Sequence, residues 1–420
     1  MSNFDYIRAT DFDRAWLNFE LDLPLEPRPD GGPNPFYITR PGDPIAELGD
    51  SLMAPFYRPP KFFFSGHRGC GKSTELLHLM SSPKIKQKYF PINFSIRDEA
   101  DIIDLDYRDV LLAIGGRMFR DYRRKGGELP ARLMKDLDSW RGKVEEEMTT
   151  ITKGRVSGFE ITSAIDAFFA NASMKMKLEP TTRTVIRQVI DRNVTGLIDV
   201  INSIAAAIKA REGKIPLILI DDLDKPGLKE ARSIFQERRE IMMQPNVAIV
   251  YTVSSALFYS KDFDSIRDQA QFLPNVKLHA HNAPNQLSRE GFETLRRFVS
   301  LRMDPRLIDA KALDQAIDYS GGVFREMARI MRTSIGRARR RKASMVESAD
   351  VEWAATEIRN EYRRILNKED LDLLKQIHEH NNLEYNDRIR PLLQLLALLE
   401  YRNGENWIDI HPVLRKLLYE

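Results

Sequence analysis

The chain has 420 residues, 42% hydrophobic and 30% charged, a balance with enough apolar surface to offset chain entropy, which excludes a disordered or low-complexity polymer. At roughly 150 residues per domain the length suits two to three domains, and apolar stretches such as Leu217–Ile220 fall far short of the roughly 18 residues of a spanning helix, so no membrane association is expected. Sixty-four basic against sixty-one acidic residues leave a formal charge of +3; the chain is no polycation built to coat nucleic acid, and any nucleic-acid surface must be local.

The amino terminus, MSNFDYIRATDFDRAW, carries acids every few residues and no apolar core, which argues against a secretory signal. A lone Cys70 excludes an intramolecular disulfide and a zinc ribbon and agrees with a reducing, cytoplasmic setting. Residues 1–60 hold ten of the twenty-two prolines and five basic against ten acidic residues. They read as an arm running extended over a surface, because proline fixes φ and removes a donor.

Four near-continuous apolar runs follow, Lys61–Ser65, Tyr89–Phe94, Ile215–Ile220 and Val247–Val253. That pattern belongs to parallel strands covered on both faces, and with helical stretches between them it predicts a doubly wound α/β domain over 61–286. Residues 104–214 form a long, charged, mostly helical stretch in which Val185, Ile186, Val189, Ile190, Val194, Leu197, Ile198, Ile201, Ile204, Ala205 and Ile208 keep helical spacing, predicting one long amphipathic helix. Phe159–Leu178 fits a hairpin or a helix equally. Over 287–366 the periodicity is helical, and Leu287–Met345 carries fourteen basic against seven acidic residues. In 367–420 two helical patterns precede Asn403-Gly404, a hairpin signal between apolar runs, so this block reads as a winged helix.

The turn after the first strand reads Gly66-His-Arg-Gly69-Cys-Gly71-Lys72-Ser73-Thr74, which fits GxxxxGK[ST] between a strand and a helix. Glycines let backbone N–H groups ring phosphates, a helix amino end adds positive potential, Lys72 reaches the β and γ oxygens and the Ser73 hydroxyl suits Mg²⁺. Cys70 fills a variable position where a small side chain is tolerated. The third strand ends in Asp221-Asp222-Leu-Asp224-Lys225, acids at the carboxyl edge where open α/β sheets bind ligands. Asp221 suits the metal, and Asp222, or else Asp224, could orient the attacking water; Asp224 could equally pair with Lys225.

These motifs resemble the AAA+ class of P-loop ATPases over roughly Phe36–Glu420, and within it the initiator-like and STAND groups that carry a helical lid and a winged helix. The resemblance implies ATP and Mg²⁺ as cofactors and a polar sensor at the tip of the fourth strand, Ser254 with Thr252 as alternative. It also implies a lid arginine that senses the γ-phosphate, which Tyr319-Ser-Gly321-Gly322-Val-Phe-Arg325 would supply as Arg325. Asp222 stands where AAA+ proteins usually carry glutamate, implying slow or partner-stimulated turnover, and the Asp-Asp pair looks like STAND switches. Arg267 or the pair Arg238 and Arg239 could serve as an arginine finger in trans.

Two functions are compatible with this pattern. One is an ATP-dependent switch that assembles with itself or with a partner effector, which the STAND resemblance places in prokaryotic signalling or anti-phage defence. The other is an initiator-like or transposition-type DNA-binding regulator. The run Arg337-Ala-Arg339-Arg340-Arg341-Lys342 could grip phosphates, yet Arg415 and Lys416 of the winged helix are balanced by Glu400, Glu405 and Asp409. That near-neutral balance favours the switch over nucleic acid.

Overall fold

The computed structural model describes residues 4–28, 30–152, 180–281, 283–380, 388–403 and 405–419. The chain forms two compact units, one of Leu48–Ser65 with Ser82–Gln271 and one of Met1–Glu47, Gly66–Ser81 and Phe272–Glu420. The glycine turn and its helix thus belong with the arm and the carboxy-terminal third, a division different from the expected borders at 60, 286 and 366.

The sheet contains the four expected strands, β1 (Lys61–Gly66), β2 (Tyr89–Ser95), β3 (Ile215–Asp221) and β4 (Ala248–Thr252), and a fifth, β5 (Ala270–Leu273), in the order β2-β3-β4-β1-β5. β2, β3, β4 and β1 run parallel, with Ile92 opposite Ile218, Ile218 opposite Ile249 and Phe63 opposite Tyr251. Leu217–Ile220 and Ala248–Tyr251 are sealed on both faces, which is why these runs are apolar without alternation. β5 escaped the sequence reading because its four residues, AQFL, are mostly half-buried and give no apolar run.

Among the described residues of 104–214 the expected helices are present, but the single long helix is two, Pro180–Arg192 and Val194–Glu212. Asn193 breaks it: φ is −115° and ψ 22°, its N–H is shared between the Val189 and Ile190 carbonyls, and its side-chain amide also donates to the Val189 carbonyl. Asparagine competes for helix carbonyls in this way. The apolar stripe continues across the break, with Val189, Ile190, Leu197 and Ile201 buried, so periodicity alone could not show it. Phe159–Leu178 lies outside the described residues.

In the other unit the arm is not simply an extended strap. Asp11 caps a helix over Phe12–Asn18, its carboxylate accepting from Arg14 N at 2.8 Å, and Ala9, Ala15, Phe19, Phe36 and Ile38 are core residues. Those apolar positions, before Pro24 and between Pro35 and Pro41, convert a strap into packed structure; the described residues of 24–35 form no helix or strand. The arm also adds a parallel bridge, with Ala9 N donating to the Arg302 carbonyl and Asp304 N to the Ala9 carbonyl. Helices Arg289–Arg302, Ala310–Ser320, Phe324–Arg340 and Ser348–Ile365 follow a short antiparallel pair, β6 (His279–Ala280) and β7 (Ala283–Leu287).

The carboxy-terminal block has helices Lys368–His380 and Ile389–Gln394 and the expected hairpin, β8 (Leu398–Asn403) with β9 (Glu405–Ile410). Tyr401 lies opposite Trp407, and the two rings stack with centroids 4.6 Å apart; Gly404, in the turn, lies outside the described residues. Among the described residues no helix is long and apolar enough to cross a membrane.

Candidate functional site

β1 ends at Gly66, and a tight turn leads into the helix Lys72–Ser81. Gly69 (φ 80°) and Gly71 (φ 101°) occupy backbone conformations that favour glycine. At Gly69 a side chain is also excluded by space, since a Cβ would lie 2.4 Å from the Arg325 Cβ. Lys72 is buried, its ammonium donating to the Gly66 carbonyl at 2.9 Å and to the His67 carbonyl at 3.1 Å. Ser73 is exposed in the first helical turn, with Thr74 half-buried beside it. The turn therefore has a wall without side chains, an ammonium against it, a hydroxyl and a helix amino end. This donor set fits a phosphate chain with its magnesium.

The outer side of the turn is tied to two distant segments. Arg325 N donates to the Gly69 carbonyl at 3.1 Å, fixing the start of the helix Phe324–Arg340. Glu400 N, in β8, donates to His67 Nε2 at 2.9 Å. An acceptor at Nε2 requires a neutral imidazole, and burial, then the nearby Lys72, pushes the His67 pKa down to about 3. Burial raises the Glu400 carboxyl to about 8. Asn275 donates to the Glu400 carbonyl and the Tyr401 hydroxyl to the Gly321 carbonyl at 2.7 Å, so β8 is stitched to the glycine turn and to the residues that precede the helix Phe324–Arg340. His67 was invisible to motif reading because it fills a variable position; its partner is 333 residues away.

In the sheet unit, Asp221 and Asp222 stand at the carboxyl end of β3. Asp222 has φ 63°, a left-handed conformation that costs a non-glycine residue of order 1 kcal/mol or more and clusters at functional sites. Its N–H donates to Asp221 Oδ1 at 2.8 Å, and its carboxylate accepts from Ser95 Oγ at 2.6 Å with Arg97 Nε 3.9 Å away. Thr252, at the end of β4, accepts from Leu223 N at 3.0 Å and donates to the Ile220 carbonyl at 3.2 Å, bracketing the acid turn. Ser254 instead caps the helix Ser255–Phe258, accepting from Leu257 N at 3.2 Å. Asp224 forms an ion pair with Lys225 at 3.5 Å. Of the finger candidates, Arg267 pairs with Asp264 at 2.9 Å and Arg238 lies over the Tyr107 ring; Arg239 begins a short helix.

No protein-family model matches the sequence, and no curated protein matches it. Solved structures do. The chain is similar to the ORC2 protein of Aeropyrum pernix in its ADPNP–ADP complexes (10% identity, 96% of this chain and 95% of that one, TM-score 0.45). It is also similar to the Walker-type ATPase PABY2304 of Pyrococcus abyssi (15% identity, 95% and 99%, TM-score 0.43). A third is the RuvB Holliday junction branch migration motor of Thermotoga maritima (11% identity, 92% and 99%, TM-score 0.37). The parallel strand order, the glycine turn after β1 and the acids after β3 make this an α/β P-loop fold with helical parts.

Arg325, Arg332 and Arg339 recur every seven residues along Phe324–Arg340 and so share a helical face. Each meets an acid of the arm: Arg325 pairs with Asp22, Arg332 with Glu20 and Arg339 with Asp13, and Trp16 lies 3.5 Å below the Arg332 guanidinium. Much of the remaining basic run is engaged as well, Arg341 with Asp350 and Glu347, Arg337 with Asp350, and Arg340 over Trp353. In the carboxy-terminal block Arg415 pairs with Asp318 and Lys416 with Glu352.

Proposed function

We propose that the chain is an ATP-binding and ATP-hydrolysing switch whose nucleotide is read by the lid and the wing hairpin. The observation that carries this reading is the double attachment of one glycine turn, through Gly69 to Arg325 and through His67 to Glu400. A phosphate chain seated in that turn is one peptide away from both. Lys72, Ser73 and the N–H groups of Gly69–Ser73 would hold the phosphates. Ser73 would hold magnesium, with Asp221 as the other residue suited to that metal, and the ion would supply positive charge against the phosphates. Asp222 would orient the attacking water, with Asp224 in reserve, and Thr252 or Ser254 would fill the sensor position; the hydroxyl of Thr252 on the acid turn supports it over Ser254.

Arg325 supplies the differential affinity that a switch requires, since it can exchange Asp22 for a γ-phosphate and a ligand shifts only an equilibrium whose states it binds unequally. Turnover is slow because Asp222 is already held by Ser95 and is one methylene shorter than glutamate. An oligomer or a partner effector would read the lid, in signalling or defence. Internal pairing of most lid and wing arginines supports this reading over a duplex-DNA regulator. Titration calorimetry with ATP and Mg²⁺ tests it: the parent protein binds, and Lys72→Ala loses at least tenfold in affinity. Undiminished affinity in that variant contradicts the proposal.

A further inference from the structure

Arg40, far from the glycine motif in sequence, is the side chain that grips the back of the turn. It is 5% exposed. One guanidinium nitrogen, Nη2, donates to the Cys70 carbonyl, Nη1 donates to the Pro274 carbonyl at 2.6 Å, and Nε lies 3.3 Å from Glu75 Oε1. The Phe324 ring lies 5.0 Å from the same guanidinium. Glu75, in the helix that follows the turn, is held from its other side by the Tyr37 hydroxyl at 3.1 Å.

Burying a guanidinium costs several kcal/mol unless its partners are well placed, and an apolar pair of similar volume commonly does as well or better for stability. Packing alone therefore does not require Arg40. Peptide geometry supplies a function. A trans peptide is planar, so the Cys70 carbonyl and the Gly71 N–H point in opposite directions. A cation that holds the carbonyl on the outer side fixes the N–H toward the inner side, where a phosphate oxygen would be received, and polarises that N–H into a stronger donor.

We propose that Arg40 is a positioning residue for phosphate binding, aiming the Cys70–Gly71 peptide and clamping the helix start through Glu75, so that the arm is a working part of the nucleotide site. This rests on the ATP reading above. It specifies more, however, because the aimed N–H serves a phosphate common to ATP and ADP, whereas Arg325 serves the γ-phosphate alone.

The test uses the full chain, the double variant Arg40→Met with Glu75→Leu, which leaves no unpaired buried charge, and the single variants Arg40→Lys and Arg325→Ala. The melting temperature without nucleotide, calorimetric Kd values for ATP and for ADP, and KM and kcat are measured for each. The double variant should melt within a few degrees of the parent, bind ATP and ADP each at least tenfold more weakly, and show raised KM with kcat within about twofold. Arg40→Lys, which keeps the charge beside Glu75 but cannot fork onto two carbonyls, should weaken both nucleotides about three- to tenfold even if the double variant fails to fold. Arg325→Ala should weaken ATP more than ADP. Parent-like Kd and KM in a folded double variant, or full rescue by Arg40→Lys, overturns the role of Arg40 alone. A parent chain that binds neither ATP nor ADP overturns the ATP reading and this role together.

Discussion

His67 and Glu400 meet at one joint and titrate in opposite senses. Glu400 keeps its proton to about 8 where an ordinary glutamate releases it near 4.5, so the unfolded chain loses a proton first and stability falls as pH rises through that window. His67 and the buried His411 are both held down to about 3, against an ordinary 6.5, so their contribution is complete above 6.5 and lost as pH falls below it. Above pH 6.5, then, Glu400 is the one of these three groups that lowers stability as pH rises. From there to pH 8 Glu400 removes about 2 kcal/mol, or roughly 4–8 °C in melting temperature. Calorimetric melts should show that alkaline fall in the parent and a flat profile above pH 6.5 in Glu400→Gln; an equal fall in both would exclude Glu400 as the cause. At this scale the turn of Gly66, Gly69 and Gly71 and the helix begun by Lys72 were legible because closely spaced glycines mark a tight turn between a strand and a helix. His67 and Arg40 were not, since their roles depend on partners brought close only by folding.

Among the elements, the helix Phe324–Arg340 and the arm show how a local pattern acquires a different meaning in context. The sequence shows basic residues over 325–342 and acids over 1–60 as separate charge runs; folding sets Asp13, Glu20 and Asp22 on Arg339, Arg332 and Arg325. These are largely exposed pairs, each worth only about 0.2–1 kcal/mol. Changing the three acids together to Asn, Gln and Asn should therefore shift the melting temperature by only a few degrees, while uncovering the stripe for phosphates. Fluorescence anisotropy with duplex DNA over a salt series should show weak binding by the parent at physiological salt. The variant should bind more tightly at low salt, its log affinity falling by roughly 0.9 per log salt for each phosphate neutralised. Tight parent binding at physiological salt with a steep slope would instead show an open DNA-binding surface. The parallel strands were legible because burial on both faces forces continuous apolar runs, and the β8–β9 hairpin because its turn signal lies between two such runs. The break at Asn193 was not, because the apolar stripe passes through it unchanged.

For the whole molecule, the α/β class followed from strands alternating with helices, but the membership of the two units did not. A linear reading cuts the chain into consecutive domains, whereas the glycine turn, sixteen residues from Gly66 to Ser81 with its helix, packs with segments from both ends of the sequence. That packing places the glycine turn in direct hydrogen-bond contact with the start of the Phe324–Arg340 helix and with β8, and the proposed switch depends on this connection carrying nucleotide state. Hydrogen–deuterium exchange of β8 and of the start of the Phe324–Arg340 helix, with and without saturating ATP and Mg²⁺, measures it most directly. ATP should change amide protection in both segments of the parent and in neither segment of Lys72→Ala. Bound ATP, established by calorimetry on the same sample, with unchanged protection in both segments would contradict it.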